Sequence, residues 1–410
     1  MTEKIKCQLV WRGKSDSQDV KQAFKKSHPL KNLESINNQN TPGIWTNKLI
    51  FAENKLVMVT LLEDFEGKIN TIYVDPPFAS GSILKSNIQI DRKKESREEI
   101  TFKDSWGRSG LDSYLTFMFE RLLLMRELLS TNGSIFVHLD WHAGHYIKVI
   151  MDEIFGLENF RGEIVWQRTP GHHLSSTMDV MTDIILWYSK SSDYVYHQQY
   201  QTLTKEETEQ KFAFIEEETG RRFTHEKLEQ SSNAYSIGET RVIDGRTVTT
   251  NVGWRWTQET FDKRLAKNPH LIFWTKKGRP RYKRYADEYL GRKIGNLWLD
   301  IPALASNDKE RLGYPTQKPE GLLERIITMS SNEGDLVADF FCGSGTTLSV
   351  AEKLNRCWIG VDSSENAIQL TKKRLVEIAT SKDLCGQDQS YNSEPRPFEI
   401  LILHELPKNF

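Results

Sequence analysis

The sequence predicts an α/β fold in which a parallel sheet carries helices on both faces and an inserted domain interrupts the sheet. Strand and helix patterns alternate in two stretches, residues 47 to 164 and 312 to 380, and such alternation is typical of parallel sheets. From residue 165 to residue 311 the hydrophobic period fails, which predicts the insert. The remaining segments are an N-terminal arm, residues 1 to 46, and a C-terminal tail, residues 381 to 410.

The composition predicts a soluble globular chain. The 410 residues are 38% hydrophobic and 27% charged, and their formal net charge of −1 disfavours both disorder and a uniformly basic surface. The most apolar window, Leu122 to Leu129, is interrupted by Arg126 and Glu127, so we expect no membrane span. The first residues lack the apolar core of a secretory signal, which predicts a cytoplasmic protein.

The cysteines and histidines predict neither a disulfide framework nor a metal site. The cysteines are too far apart in sequence for either pattern. His172 and His173 are adjacent, but no cysteine or acidic residue stands near them at ligand spacing. We therefore expect a reduced protein without a bound metal. The cysteines are Cys7, Cys342, Cys357 and Cys385.

The first α/β half begins with a short strand. The run from Asn70 to Val74 is apolar and rich in β-forming residues, and it must end at Asp75 because the two prolines that follow cannot continue a strand or a helix. Apolar residues then recur every three or four positions from Leu111 to Leu129, which predicts an amphipathic helix that Asn132-Gly133 terminates. Ser134 to Leu139 predicts the next buried strand.

The second half repeats the alternation of strand and helix. Each apolar run is separated from the next by a turn or a short polar link, as expected of crossover connections in a parallel sheet. The predicted elements are a strand from Leu336 to Phe341, a turn at Gly343-Ser344-Gly345, a helix from Thr347 to Leu354, a strand from Cys357 to Val361, a helix to about Thr380 and a strand-like run from Phe398 to Leu403.

The glycine turn indicates a site for a ribose-bearing cofactor. No lysine follows Gly345, so a phosphate-binding P-loop is disfavoured, and Leu348 stands where a dinucleotide fingerprint needs a third glycine. Asp339 lies near the end of one predicted strand and Asp362 at the end of the next, where a carboxylate can bind ribose hydroxyls. S-adenosylmethionine has a ribose and no pyrophosphate. A purely structural turn would leave the same short pattern.

Asp75-Pro76-Pro77-Phe78 carries residue types that suit a planar amine. The Asp75 carboxylate and the Pro76 carbonyl can both accept hydrogen bonds from amine protons. Paired prolines stiffen the loop, and Phe78 offers a flat face for stacking. A turn that merely ends a strand, with an incidental aromatic residue, is the alternative.

Together these motifs resemble the amino-group DNA methyltransferases. The motif at Asp75 precedes the one that starts at Asp339 by 264 residues, and this order, catalytic motif first, resembles the permuted beta class. Ala52-Glu53-Asn54 departs from the usual Gly-Asp-Asn, and Phe78 stands where tyrosine is commoner. Further segments resemble the adenine-modifying members related to type III modification subunits, and they are Phe102 to Trp106, Phe136 to Asp140, Asp152 to Gly156, Gly313 to Glu320 and Trp358 to Asp362.

The resemblance implies a Rossmann-like S-adenosylmethionine-dependent methyltransferase sheet. Residues 47 to 164 would form its catalytic half, residues 312 to 380 its cofactor-binding half, and residues 165 to 311 a target-recognition domain. The implied reaction transfers a methyl group from S-adenosylmethionine to the exocyclic amino group of a flipped-out adenine in DNA. The implied catalytic residues are Asp75, Pro76, Pro77 and Phe78, and the implied cofactor-binding residues are Asp339, Phe341, Gly343, Ser344, Gly345, Thr346, Asp362, Ser363, Thr316 and Lys318.

Three other functions stay open on the sequence alone. The cytosine amino group would fit the same clamp, a silent member could bind DNA as a regulator, and RNA or protein could be the substrate. Carbon-5 cytosine chemistry is disfavoured because it needs a cysteine after a proline, and none of the four cysteines follows one.

The implied partner is double-stranded DNA, and a cognate restriction endonuclease and a homodimer stay open. Between Phe261 and Lys293 there are eleven Lys/Arg against three Asp/Glu, which predicts a phosphate-contacting surface, with a solvated charged face as the alternative. The candidate DNA-contacting residues are Lys276, Lys277, Arg279, Arg281, Lys283 and Arg284.

Overall fold

The computed structural model describes residues 8–18, 20, 29–37, 45–78, 83–89, 96–103, 110–169, 178–384 and 389–403, with side chains except at 83–89, 96–103 and 232–234. The chain forms two compact units, Met1–Gln198 with Gly295–Phe410 and Gln199–Ile294. Cys7, Cys385, Asp104 to Trp106, His172 and His173 lie outside the described residues.

The described residues contain strands and helices that we number in chain order. The strands are β1 (Leu30–Ile36), β2 (Asn47–Phe51), β3 (Ile69–Val74), β4 (Ile83–Gln89), β5 (Ser96–Lys103), β6 (Leu129–Leu139), β7 (Phe160–Gln167), β8 (Thr182–Ser189), β9 (Tyr200–Gln201), β10 (Phe214–Ile215), β11 (Arg222–Lys227), β12 (Thr240–Ile243), β13 (Arg246–Thr249), β14 (Ile272–Trp274), β15 (Pro280–Tyr285), β16 (Arg292–Lys293), β17 (Leu297–Trp298), β18 (Leu336–Asp339), β19 (Cys357–Asp362) and β20 (Phe398–Leu403). The helices are α1 (Asn54–Phe65), α2 (Gly110–Leu128), α3 (Gly144–Phe155), α4 (Lys205–Lys211), α5 (Gln258–Lys267), α6 (Glu320–Ser330), α7 (Thr346–Lys353) and α8 (Glu365–Val376).

The first unit is built on a ten-stranded sheet with the order β1-β20-β2-β19-β18-β3-β6-β8-β7-β17. From β20 to β6 every neighbouring pair is parallel, whereas β1 and β8 pair antiparallel with their neighbours. The central strands are buried almost continuously, as expected when helices cover both faces of a parallel sheet. The two predicted α/β halves therefore share one sheet, in which β18 of the second half lies beside β3 of the first.

The boundary between α2 and β6 differs from the prediction. The helix ends at Leu128, and Asn132-Gly133 lies inside β6 rather than at the end of the helix. A register shift separates the Ile69–Leu129 and Thr71–Ser134 pairs, which marks an irregular stretch. A Cβ on Gly133 would lie 2.8 Å from the carbonyl oxygen of Ile69, so the glycine permits close backbone approach rather than ending a helix.

The second unit contains most of the segment predicted as an insert, but its limits are narrower. Its four-stranded antiparallel sheet has the order β10-β11-β15-β14, and its own apolar core includes Trp254 and Phe261. The predicted limits of 165 and 311 include β8 and β17, which belong to the ten-stranded sheet. Sequence periodicity missed β8 because this strand is buried throughout most of its length and so lacks alternation.

Two absences can be stated for the part of the chain that the structure describes. It contains no helix that is long and apolar enough to cross a membrane. It also contains no cluster of three or more His, Cys, Asp or Glu side chains arranged to hold a metal ion.

Candidate active site

The two predicted motifs meet at one edge of the ten-stranded sheet. Strands β3 and β18 are parallel neighbours, with Ile72 opposite Ala338, so the residues that follow them leave the sheet at the same edge. Carboxyl ends of parallel strands are where open α/β sheets bind ligands. The Asp75 loop and the glycine turn are thus brought together although 264 residues separate Asp75 from Asp339.

Asp75 has two oxygens in different environments. Its Oδ2 accepts a hydrogen bond from the Lys318 ammonium in a short ion pair. Its Oδ1 is buried and has no hydrogen-bond partner among the described residues. A buried carboxylate oxygen without a donor is costly, so this atom is suited to receive an N–H group from a ligand.

The ring of Phe78 is stacked on a buried histidine. The centroids of Phe78 and His138 are 6.1 Å apart with an interplanar angle of 26°. His138 shares a hydrogen bond with the Tyr73 hydroxyl through Nδ1 (2.8 Å) and another with Asp183 Oδ2 through Nε2 (3.2 Å). A guanidinium nitrogen of Arg168 lies 3.5 Å from Asp183 Oδ1 and forms an ion pair with this carboxylate. The flat face of the Asp75 loop therefore rests on a hydrogen-bonded polar network.

Asp183 stays ionised within this network. Burial opposes its charge, but the hydrogen bond from His138 and the positive charges of Arg168 and Lys318 outweigh burial and lower the pKa of Asp183. Because the histidine and the carboxylate are 0% and 1% exposed, each needs the other as a partner.

The glycine turn has the backbone conformation that its residues predict. Gly343 and Gly345 have φ values of 50° and 72°, in the left-handed region that favours glycine. The Gly343 N–H donates to Asp362 Oδ2 (2.9 Å), and the Thr371 hydroxyl donates to the Gly343 carbonyl (2.9 Å). A Cβ on Gly343 would lie 3.0 Å from the ring of Tyr314, and one on Gly345 would lie 2.5 Å from Thr371.

Asp339 stabilises the turn through hydrogen bonds to both of its carboxylate oxygens. One of its oxygens accepts from the Phe341 N–H (2.9 Å) and the other from the Thr347 hydroxyl (2.5 Å). Burial raises the pKa of Asp339 to about 7, an effect that these two hydrogen bonds oppose. Burial also raises the pKa of Asp362, whose Oδ1 accepts from the Ser364 N–H (2.8 Å).

The other predicted cofactor residues divide into buried and exposed ones. The hydroxyls of Ser344 and Thr346 are buried, and Thr346 Oγ1 donates to the Lys318 carbonyl (3.2 Å). Thr316 and Ser363 are exposed at the surface of the same unit. Phe341 lies against Phe117, with ring centroids 6.1 Å apart. Only the first two therefore have a clear role in shaping the turn.

Several residues of the site escaped the sequence reasoning. His138 lies in a segment quoted for its resemblance, but its stacking partner could not be read from the sequence. Asp183 lies in the region that showed no period, and Tyr314 and Thr371 reach the turn from other elements. The only signal in the sequence was the Gly-Tyr-Pro-Thr-Gln-Lys-Pro-Glu segment that contains Tyr314.

The comparison with protein families decides the class of this site. Residues 69–373 match the family described as DNA methylase, which comprises N6 and N4 methyltransferases. The chain belongs to this DNA methylase family. Membership confirms the predicted family, the α/β methyltransferase class and DNA methylation with S-adenosylmethionine as donor.

Relatives of this methylase come from type II and type III systems. It is 29% identical over 333 residues to the type II methyltransferase M.EcaI of Enterobacter cloacae, covering 81% of this chain and 70% of that protein. It is 27% identical over 334 residues to the type III restriction-modification enzyme StyLTI Mod subunit of Salmonella typhimurium, covering 75% of this chain. The methylase matches only 50% of the length of that subunit.

Solved structures resemble the methylase weakly. A crystal structure of the M1.HpyAVI–SAM complex aligns with a TM-score of 0.41 and 15% identity, covering 80% of this chain and 99% of that chain.

The geometry at the sheet edge fits S-adenosylmethionine. A Cβ at either glycine of the turn would collide with Tyr314 or Thr371, so both positions require glycine because of contacts within the protein. The Asp362 carboxylate accepts one backbone N–H at each oxygen and keeps lone pairs for ribose hydroxyls. The buried Oδ1 of Asp75 lacks a donor among the described residues, as expected of a site that awaits an N–H group.

The predicted DNA-contacting residues of the second unit differ in their surroundings. Lys276 and Lys277 are exposed at the tip of the β14–β15 hairpin. Lys283 is instead inside the unit, where its ammonium pairs with Glu216 (2.5 Å). Arg279, Arg281 and Arg284 contact Glu229, His225 and Glu226, respectively.

Proposed function

We propose that this methylase transfers a methyl group from S-adenosylmethionine to the exocyclic amino group of adenine in DNA. The observation that carries the proposal is the catalytic loop, where a buried carboxylate oxygen of Asp75 lacks a donor beside the stacking face of Phe78. An adenine amino group has two N–H donors and a flat ring, which match these two features.

The chain's own residues would hold the donor beside the catalytic loop. The turn from Gly343 to Gly345 lets the ligand approach the backbone, and Asp362 would bind its ribose hydroxyls. When bound, S-adenosylmethionine supplies an activated methyl group on a sulfonium. The protein then needs only to exclude misaligned poses of the donor and the amine. Good alignment lowers the activation free energy by roughly 7 to 11 kcal/mol in favourable cases.

Asp75 and the Pro76 carbonyl would make the amine nitrogen a better nucleophile. The lone pair of an exocyclic amine is conjugated with its ring, so hydrogen bonds from its protons to these two acceptors favour a pyramidal nitrogen. The nitrogen lone pair would then form the N–C bond as the donor's C–S bond breaks with its electron pair on sulfur, and the proton that the nitrogen loses would pass by way of the Asp75 carboxylate to water. No covalent intermediate with the protein is needed.

The base must leave the duplex before it can reach this loop. Flipping costs a few kcal/mol, and stacking on an aromatic ring offsets part of that cost. Phe78 lacks the hydroxyl of a tyrosine but keeps the stacking face, and its contact with His138 limits the directions in which the ring can turn.

Replacement of the catalytic carboxylate tests this function. We expect Asp75→Asn to lower the rate of methyl transfer by about 10²- to 10³-fold, because the amide is neutral and, with its oxygen bonded to Lys318, it presents an NH2 group rather than an acceptor to the amine. S-adenosylmethionine affinity, measured by calorimetry, should stay within about threefold of the wild type. Normal turnover by a folded Asp75→Asn protein would disprove the assigned role.

The identity of the modified base needs a separate measurement. DNA treated with the methylase and tritiated S-adenosylmethionine is digested to nucleosides and analysed by mass spectrometry. We expect N6-methyl-2′-deoxyadenosine, and N4-methyl-2′-deoxycytidine in its place would move the proposal to the cytosine amino group. Single-molecule sequencing of the same DNA would report the recognition sequence.

The relatives extend the proposal to a biological context. The Salmonella relative is a Mod subunit of a type III restriction-modification enzyme, and we propose that the present methylase likewise modifies sites that a cognate endonuclease cuts. The second unit is our candidate for reading the target sequence, supported by the two exposed lysines at its hairpin tip. DNA modified in vitro should resist that endonuclease, and unmodified DNA should be cut.

A further inference from the structure

We propose that Lys318 is a positioning residue that holds Oδ2 of Asp75 so that Oδ1 stays directed at the substrate amine. The inference rests on the function proposed above and extends it to a residue that the sequence suggested as a cofactor ligand. Its basis is the unequal use of the two oxygens of a single carboxylate.

The ion pair between Lys318 and Asp75 is short and shielded. The two side chains are 11% and 15% exposed, so water can compete with their contact only weakly. The ammonium engages Oδ2, whereas Oδ1 is buried and lacks a partner among the described residues. A carboxylate with one oxygen held by a cation presents the other in a defined direction.

Lys318 is itself anchored to the glycine turn. Its carbonyl oxygen accepts a hydrogen bond from the Thr346 hydroxyl (3.2 Å), and that hydroxyl accepts one from Arg374 (2.9 Å). Its ammonium also donates to the Thr316 carbonyl (3.4 Å). One residue thus joins the first turn of α7, next to the cofactor glycines, to the catalytic carboxylate.

The lysine and the substrate amine can occupy the carboxylate together. A carboxylate has two oxygens with about four acceptor sites, so Oδ2 can stay bonded to Lys318 while Oδ1 accepts an amine proton. The ammonium also lies over the Phe78 ring, 5.7 Å from its centroid, at cation–π distance. Lys318 therefore need not leave when the base arrives.

Fixing the carboxylate matters because methyl transfer depends on alignment. A misplacement of about 1 Å can cost about 10²-fold in rate, even when binding is intact. Without Lys318 the Asp75 side chain would rotate about its terminal torsion, because no other described donor holds Oδ2. We therefore expect a loss in kcat rather than in cofactor binding.

The test compares Lys318→Met with Lys318→Arg and with Lys372→Met. Lys318→Met keeps the length of the chain but removes the donor, and we expect kcat to fall about 10- to 100-fold while the calorimetric Kd for S-adenosylmethionine changes less than threefold. Lys318→Arg keeps a charged donor and should recover part of kcat. Lys372 pairs with Glu34 on the surface, so Lys372→Met should behave like the wild type and controls for loss of one positive charge.

A second readout does not need turnover. Once the recognition sequence is known, 2-aminopurine next to the target adenine reports flipping by its fluorescence, and the target base keeps the 6-amino group that Asp75 would bind. If Lys318 acts through Asp75, Lys318→Met should reduce the fluorescence when it is introduced into the wild-type protein. It should cause no further reduction when it is introduced into the Asp75→Asn variant. If Lys318→Met fails to fold, the same cycle with Lys318→Arg should show a smaller but equally non-additive loss.

The possible failures can be told apart. A wild-type protein that methylates no DNA would overturn the proposed function itself. Normal kcat in Lys318→Met, or additive losses in the double variant, would overturn only the positioning role. A large rise in Kd for S-adenosylmethionine with unchanged kcat would instead make Lys318 a cofactor ligand.

Discussion

At the scale of single residues, the stacking face of the site depends on a histidine outside the catalytic motif. Phe78 packs on His138, and His138 is held by Tyr73 on one side and Asp183 on the other. The histidine is fully buried, so its orientation is set by these hydrogen bonds rather than by solvent. The ring that would receive the base is thereby pre-oriented.

We predict that His138→Asn weakens DNA use more than cofactor use. The shorter side chain would lose the stacking contact with Phe78 and leave Asp183 buried without its histidine partner. The expected result is a several-fold higher KM for DNA and a lower melting temperature, with S-adenosylmethionine affinity retained. Asp183→Asn is the matched control, since an amide oxygen can still accept from His138, and its effects should be smaller.

We also predict that Asp339 makes stability depend on pH. The pKa of this carboxyl group is about 7 in the folded protein against 3.8 for the ordinary group, so the folded state binds the proton more tightly. Stability therefore falls as pH rises from about 4 to 7, by at most about 4 kcal/mol. Asp339→Asn should remove this part of the dependence.

Urea unfolding of wild type and Asp339→Asn at pH 5 and pH 8, without ligand, measures this effect. The asparagine can still accept from the Phe341 N–H, which keeps the local geometry comparable. The stability of the variant relative to wild type should increase between the two pH values. An identical change with pH in both proteins would contradict the raised pKa.

At the scale of elements, the glycine turn between β18 and α7 tolerates little substitution. Gly345 combines a positive φ of 72° with close contact, since an added Cβ would lie 2.5 Å from Thr371 on α8. The turn is therefore held by the start of α7, which follows it, and by α8, which carries Thr371.

We predict that Gly345→Ala abolishes S-adenosylmethionine binding and strongly lowers the melting temperature. Thr371 cannot yield without giving up its hydrogen bond to the Gly343 carbonyl. Gly334→Ala is the control, because Gly334 has a φ of 81° but nothing within 4 Å of an added Cβ. It should cost only the left-handed conformation, about 1 kcal/mol, and leave cofactor affinity unchanged. Equal effects of the two substitutions on binding would contradict this account.

At the scale of the whole molecule, the candidate active site lies in one unit, and a second unit has its own core. The second unit, Gln199–Ile294, has a sheet and an apolar cluster that are independent of the ten-stranded sheet. Its basic residues play two parts. Lys276 and Lys277 at the hairpin tip are exposed, whereas Lys283 forms a buried ion pair with Glu216.

We predict that the exposed and buried lysines respond differently to substitution. Lys276→Ala with Lys277→Ala should weaken DNA binding and reduce the slope of log K against log salt by about 2, with the melting temperature unchanged. Lys283→Ala should instead destabilise the unit, because it leaves the Glu216 carboxylate buried without its partner. A salt titration of DNA binding and a thermal melt distinguish the two. An unchanged salt slope in the double variant would remove these lysines from the interface.

Much of the fold and the core of the site follow from sequence alone. The runs at Asn70 to Val74 and Cys357 to Val361 formed strands with ends within a residue of the prediction, because prolines, glycines and apolar runs are local signals. The Asp75 motif and the glycine turn, which we propose as the catalytic and cofactor sites, are local signals of the same kind. The insert limits of 165 and 311 stay a prediction. The compact unit Gln199–Ile294 is shorter, because β8, which has no alternation to reveal it, and β17 belong to the ten-stranded sheet.

The amino-acid sequence by itself determined which groups can do the chemistry. They are a carboxylate in a loop stiffened by two prolines and a turn whose glycines adopt the left-handed backbone region. Only the tertiary structure decided which partners those groups have. Lys318 on Asp75, His138 under Phe78 and Thr371 at Gly345 are contacts between distant segments. No local pattern encodes them, because the pairing of β3 with β18 creates the edge at which they meet.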